Sequence, residues 1–200
     1  MKIASIILGI IAVAFIAVQI FALRSQKNIE TYSYVVNKEY DQFEIRRYEA
    51  TLFSSVKLSG TTYKETSSEG FSVLAGYIFG NNERSEKIAM TSPVAMTLED
   101  SSTMLFMVPN KFNKETLPQP NESKIKFHNE PAKTVAAIQF KGWASDKKIE
   151  KYKQKLIAAL DNEGISHTDR FYFFGYNAPY EVFNRKNEVI VELQKIVVKR

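Results

Sequence analysis

The feature that most constrains this chain is an internal repeat: residues 45–60 and 127–142 carry one pattern written twice, 82 positions apart. Each copy ends in a strand of alternating apolar and polar residues stopped by glycine, Val56 and Leu58 before Gly60, Ile138 and Phe140 before Gly142. A helix follows each copy. In the first, Thr62-Tyr63-Lys64-Glu65 reads as a capping box, and Phe71, Leu74, Ala75 and Ile78 recur at helical spacing until Gly80. In the second, Ser145 or Asp146 can cap, and Ile149, Tyr152, Leu156, Ile157 and Leu160 form the apolar stripe before Gly164. Two strands then follow each helix: residues 89–93 match 175–179, and 104–108 match 188–192 in character. Each half is therefore strand–helix–strand–strand, and the proline-bearing stretch 109–123 connects them. Neither half could cover its own apolar faces, which predicts one α+β domain with pseudo-two-fold symmetry over residues 30–200. Gly60 and Gly142 are expected to sit at turns that need a positive φ.

Ahead of the repeat, residues 3–23 are apolar at all positions except Ser5, Gly9 and Gln19, with Lys2 before them and Arg24 and Lys27 after. A helix of that length spans about 31 Å, close to the thickness of a bilayer core. Residues 1–29 are therefore expected to be a membrane anchor or a cleavable signal segment, leaving the folded domain tethered or exported and outside the cytoplasm.

The net charge of +5 suggests nucleic acid until it is divided. Lys2, Arg24 and Lys27 lie in the first 29 residues, which hold no acid, leaving 24 basic against 22 acidic residues in the remainder. The domain is nearly neutral, and no nucleic-acid partner is expected. The chain has no cysteine, so disulfides, thiolate metal sites and cysteine nucleophiles are excluded. Two histidines are too few for a His-built zinc site; His128 reads as a strand residue and His167 as a solvated loop residue. No phosphate loop, dinucleotide fingerprint or nucleophile elbow is present, and the carboxylates form no acid/base spacing, so no catalytic group is proposed and a metal ligand is left open.

Aromatic side chains are abundant, with fourteen Phe, ten Tyr and one Trp. The run Phe171-Tyr172-Phe173-Phe174 reads as a buried strand, whereas 175–187, with Gly175, Asn177, Pro179 and Asn184, reads as a loop. Loop rings followed by Arg185 and Lys186 suit a flat apolar ligand with acidic edges; such rings can equally staple the loop to the sheet.

Tyr40-Asp41-Gln42-Phe43-Glu44-Ile45-Arg46-Arg47-Tyr48, Met90-Thr91-Ser92-Pro93-Val94, Phe106-Met107-Val108-Pro109-Asn110, Phe140-Lys141-Gly142-Trp143, Gly175-Tyr176-Asn177-Ala178-Pro179 and Asn184-Arg185-Lys186-Asn187 follow one another in a pattern that resembles the SOUL / haem-binding protein family, from about residue 34 to 193. The resemblance implies a distorted antiparallel β-barrel flanked by two helices and built from two similar halves. It also implies haem or another tetrapyrrole, bound as a ligand and not as a catalytic cofactor, in an apolar cleft between the first helix and the loop before the last strand. On this chain those positions are Phe71, Leu74, Ala75 and Ile78 on the helix and Tyr176, Pro179, Tyr180, Arg185 and Lys186 in the loop. Relatives carry methionines and basic residues on the first helix; the stretch 66–77 here has neither. An iron-independent module for another small amphipathic effector in the same cleft is the alternative.

Overall fold

The computed structural model describes residues 2–26, 29–60, 62–99 and 101–194, and in the N-terminal helix the side chains of residues 3 and 5–19. In chain order the elements are α1 (Lys2–Gln26), β1 (Glu30–Thr31), β2 (Tyr34–Glu39), β3 (Glu44–Tyr48), β4 (Thr51–Lys57), α2 (Tyr63–Ile78), β5 (Thr91–Ser92), β6 (Val94–Thr97), β7 (Thr103–Met107), β8 (Ile125–Glu130), β9 (Lys133–Lys141), α3 (Asp146–Asn162), β10 (His167–Gly175) and β11 (Lys186–Leu193). Nine strands form one antiparallel sheet in the order β2-β3-β9-β11-β10-β6-β7-β4-β8.

That order is the sequence repeat made visible. Exchanging β3 with β8, β4 with β9, β7 with β11 and β6 with β10 returns the same order reversed, with the pseudo-dyad between β6 and β10 and β2 added at one edge. The register obeys the same shift: Thr51 opposes Glu130 and Tyr48 opposes Lys133, pairings that interconvert when 82 is added to one number and subtracted from the other. The likeness of residues 89–93 to 175–179 is not a structural equivalence, because the first segment precedes β6 whereas the second begins at the last residue of β10. The sheet is a curled half-barrel: β2 and β8 remain edges and do not pair to close it.

Strand alternation gives the sheet two apolar faces. On one, Leu52, Val56, Met104 and Phe106 pack under α2 through Leu74, Ala75 and Ile78. Beside them Ala136, Ile138, Phe173 and Val189 pack under α3 through Ile149, Leu156 and Leu160. On the other face Tyr32, Tyr48, Phe53, Tyr172 and Phe174 form a buried aromatic cluster to which, among the described residues, no helix contributes.

Local chemistry fixes the helices. The Thr62 hydroxyl accepts from the Glu65 N–H and caps α2, as the capping box predicts. Ser145 caps α3 by accepting from the Lys148 N–H, and Asp146 is used elsewhere. Its carboxylate accepts from the backbone N–H groups of Tyr63 and Lys64, tying the two helix N-termini together near the dyad. Gly70 is where α2 comes close to the layer beneath it, since a Cβ there would stand 2.8 Å from Leu58 Cδ1 and 3.1 Å from Met104 Cβ. Of the two expected turn glycines, Gly142 has φ +81°, and no positive φ occurs at Gly60. A side chain at Gly60 is barred by contact with Thr66 Cγ2 instead, 2.8 Å from where a Cβ would lie.

The expected membrane anchor is corrected by the structure. Among the described residues no helix is long and apolar enough to cross a membrane, so the tethered, extracytoplasmic placement is withdrawn. Toward the end of the described side chains of α1, Gln19 is buried against the domain, its amide bonded to the backbone of residues 180 and 182. Arg24 and Lys27, the expected basic flank, lie outside the described side chains.

Candidate functional site

A cavity of about 330 Å³ lies at the dyad, on the helix-covered face. The first turns of α2 supply one wall through Tyr63, Ser67, Ser68 and Phe71. Val94 and Met96 of β6, Met104 of β7 and Phe173 of β10 form an apolar floor. The far wall comes from the β10–β11 connection, through Asn177, Pro179 and Arg185, and from Trp143. The volume falls within the range of small-molecule sites, and the lining is mainly apolar and aromatic with a few polar groups at the rim.

The loop wall is rigidly built. Arg185 donates through Nη1 to the carbonyls of Ala178 and Glu181, and its guanidinium lies over the Trp143 ring, 4.1 Å from the centroid. Burial pushes the Arg185 pKa down, and the Tyr63 hydroxyl and Glu181 only partly offset this. The Glu181 carboxylate accepts from the Ala178 N–H at 3.0 Å and from Asn177 Nδ2 at 2.8 Å. Asn187 Nδ2 donates to the Gly142 carbonyl at 2.7 Å, and the Gly142 N–H donates to the Arg185 carbonyl at 3.1 Å. The left-handed turn at Gly142 thus delivers Trp143 to the cleft, where the residue is 56% exposed.

Of the residues singled out by sequence, Phe71, Pro179 and Arg185 line this cavity. Leu74, Ala75 and Ile78 do not; they belong to the core between α2 and the sheet, where they are buried. The helical stripe that marked them is the stripe any core-facing helix needs. Tyr176 and Lys186 are turned to the opposite face, as alternation from Asn187 requires. There the Tyr176 hydroxyl donates to Glu188 Oε2 at 2.6 Å, and Lys186 Nζ lies 3.0 Å from Glu188 Oε1. Tyr180 sits at the loop tip, half exposed, and does not line the cavity. Both histidines are away from the cleft: His128 packs on Phe53 beside Glu130, and His167 borders a shallow polar depression beyond α3.

Sequence reasoning did not single out Tyr63, Ser67, Ser68, Met96, Met104, Trp143 or Phe173 as site residues. Trp143 was signalled by the glycine before it. Met96, Met104 and Phe173 sit on strands whose other residues are plain core, and periodicity alone does not separate a cavity floor from a core face.

The face opposite the cleft holds two charged clusters. Arg46 and Glu188 form a bidentate pair, Nη1 to Oε2 at 2.9 Å and Nη2 to Oε1 at 3.1 Å, with side-chain exposures of 4% and 0%. Burial is the strongest single influence on Glu188 and pushes its pKa up. Arg46, Lys186 and the Tyr176 hydroxyl together outweigh it and hold the carboxyl below the usual range. In the second cluster Lys133 bridges Glu130 and Glu192 at 3.0 Å each. Glu130 is likewise pushed up by burial, but His128, Lys133 and Arg170 bring it down to about 2.

A curled antiparallel sheet with two helices on one face is a fold shared with the C-terminal domain of EcmrR. The two superpose with a TM-score of 0.63 at 14% identity, over 78% of this chain and 98% of that one. The sequence relationship is narrower: the model of the SOUL heme-binding protein family matches residues 29–192. Heme-binding protein 1 of Xenopus laevis is 30% identical over 155 residues, covering 74% of this chain and 81% of that protein. Heme-binding protein 2 of Homo sapiens is 30% identical over 156 residues, covering 74% and 76%. The chain belongs to the SOUL heme-binding protein family.

Proposed function

We propose that this protein is a non-enzymatic binding protein for haem or a related tetrapyrrole, held in the cleft between the first turns of α2 and the β10–β11 loop. The observation that carries the reading is the lining itself. An apolar floor, Val94, Met96, Met104 and Phe173, is flanked by the rings of Tyr63, Phe71 and Trp143, in a member of a family whose relatives are named for haem. A planar macrocycle buries its faces against such a floor, where each Å² of apolar surface contributes about 25 cal/mol. The cationic rim at Arg185 suits the carboxylates a tetrapyrrole carries at its edge. Met96 and Met104 serve the floor as apolar contact, the Met96 sulfur being taken by the Thr66 hydroxyl and the Met104 sulfur lying under Gly70. When bound, haem would supply an iron centre; the residues here bind and orient it.

Haemin added to the protein is expected to give a shifted Soret band that saturates near one equivalent. The alternative, an iron-independent module for another amphipathic effector, is favoured by one observation: no histidine lies on the cleft. Absence of a Soret shift, with an apolar dye still bound in the cleft, would decide for it.

A further inference from the structure

We propose that α1 is a strap on the cleft, acting through Gln19 as a positioning residue on the β10–β11 loop; the ligand named here rests on the function proposed above. Gln19 Nε2 donates to the Tyr180 carbonyl at 3.0 Å, and the Val182 N–H donates to Gln19 Oε1 at 3.3 Å. One side chain therefore closes a ring of two hydrogen bonds onto alternate residues of the loop, as a neighbouring strand would. Among the described side chains of α1 its burial is the exception: Gln19 is 9% exposed, while Phe15, Ile16 and Val18 are 46%, 56% and 47% exposed.

The loop tip it holds needs holding. Within it Glu181 is buried and anchored to Asn177 and Ala178, but Tyr180, Val182 and Phe183 are 50%, 41% and 59% exposed, so burial contributes little to fixing those three. Nor is the tip independent of the cleft. Arg185 grips the carbonyls of Ala178 and Glu181 on either side of Tyr180 and stacks on Trp143, both Arg185 and Trp143 being cleft walls. A displacement of residues 180–182 therefore passes through one guanidinium to the wall against which a ligand would rest. A helix far away in sequence thereby sets how firmly the cleft stays closed.

The test uses the full chain with Gln19→Ala and Gln19→Glu, reading amide hydrogen exchange at Val182 and haemin dissociation by stopped flow. In Gln19→Ala the Val182 amide is expected to exchange faster and haemin to leave about three- to tenfold faster, the scale of one or two ordinary hydrogen bonds. The melting temperature is expected to stay within about 2 °C, since the contact touches no core residue. Gln19→Glu keeps the acceptor for the Val182 N–H but loses the donor to the Tyr180 carbonyl, so its Val182 protection is expected to exceed that of Gln19→Ala. Unchanged exchange at Val182 in Gln19→Ala overturns the strap. So does faster exchange with an unchanged haemin off-rate. If the parent binds no haemin, the proposed function fails separately, and the strap is judged by the off-rate of 1-anilinonaphthalene-8-sulfonate from the cleft.

Discussion

Replacing Arg46 by methionine is expected to destabilise the domain by about 3 kcal/mol at neutral pH, measured by urea denaturation with an unchanged slope. The long apolar side chain keeps most of the packing volume, so the loss isolates the charge. Glu188, with no exposed side-chain surface, loses its bidentate partner and keeps Lys186 and the Tyr176 hydroxyl. Those two place the expectation at the lower end of the roughly 3–5 kcal/mol that breaking a buried pair costs. The pH dependence follows from the sign of the shift. In the parent the Glu188 pKa is lowered, so the group adds stability above the ordinary carboxylate range and loses it as pH falls below that range. In Arg46→Met burial raises the pKa, and the folded state then gains by taking up a proton as pH falls. The gap between parent and variant is therefore expected to narrow from pH 7 towards pH 4. A gap below about 1 kcal/mol, or one that does not change with pH, would show that the pair is not the buried unit described.

Filling the cleft is expected to abolish ligand binding without unfolding the protein. Ser67 is half-buried on the second turn of α2 and lines the cavity. Ser and Trp have similar helix propensities, so Ser67→Trp carries little intrinsic cost there. Its indole would occupy space a planar ligand needs. Haemin affinity is expected to fall at least tenfold, equivalent to about 1.4 kcal/mol, with the melting temperature within a few degrees of the parent. Ser72→Trp, on an exposed position of the same helix, is the control and should bind as the parent does. Equal affinity in Ser67→Trp and the parent would mean the ligand sits elsewhere.

The fold was legible because the constraint was global. A repeat at a spacing of 82 survives as a strand order that reads the same in both directions, and as paired registers related by the same shift. The capping residues Thr62 and Ser145 act locally, and they were legible too. The site was less so, for a physical reason. Leu74 and Phe71 sit on one apolar stripe, yet Leu74 is sealed in the core while Phe71 reaches the cavity. They stand three positions apart, less than one turn, and which of them meets the cavity depends on how the helix is seated on the sheet. Lys186 and Asn187 are adjacent, yet opposite-facing; only the register of β11 reveals that Asn187 faces the cleft and Lys186 serves Glu188. The pairing of Arg46 with Glu188 joins residues 142 apart and leaves no local signature at all. The apolar N-terminal run satisfied a length rule for spanning a bilayer, and that rule takes no account of Gln19 and the loop that receives it.

The most direct test of tetrapyrrole binding in the dyad cleft is paramagnetic broadening by ferric haemin, read on the backbone amides of the full chain with one equivalent added. The expected result is selective loss of the amide signals of Tyr63, Ser67, Val94, Trp143, Gly175, Asn177 and Asn187, which surround the cavity. Those of Tyr32, Tyr48 and Phe53, on the opposite face, should broaden far less. Broadening centred on that opposite face, or spread evenly over the surface, would contradict the assignment of the cleft.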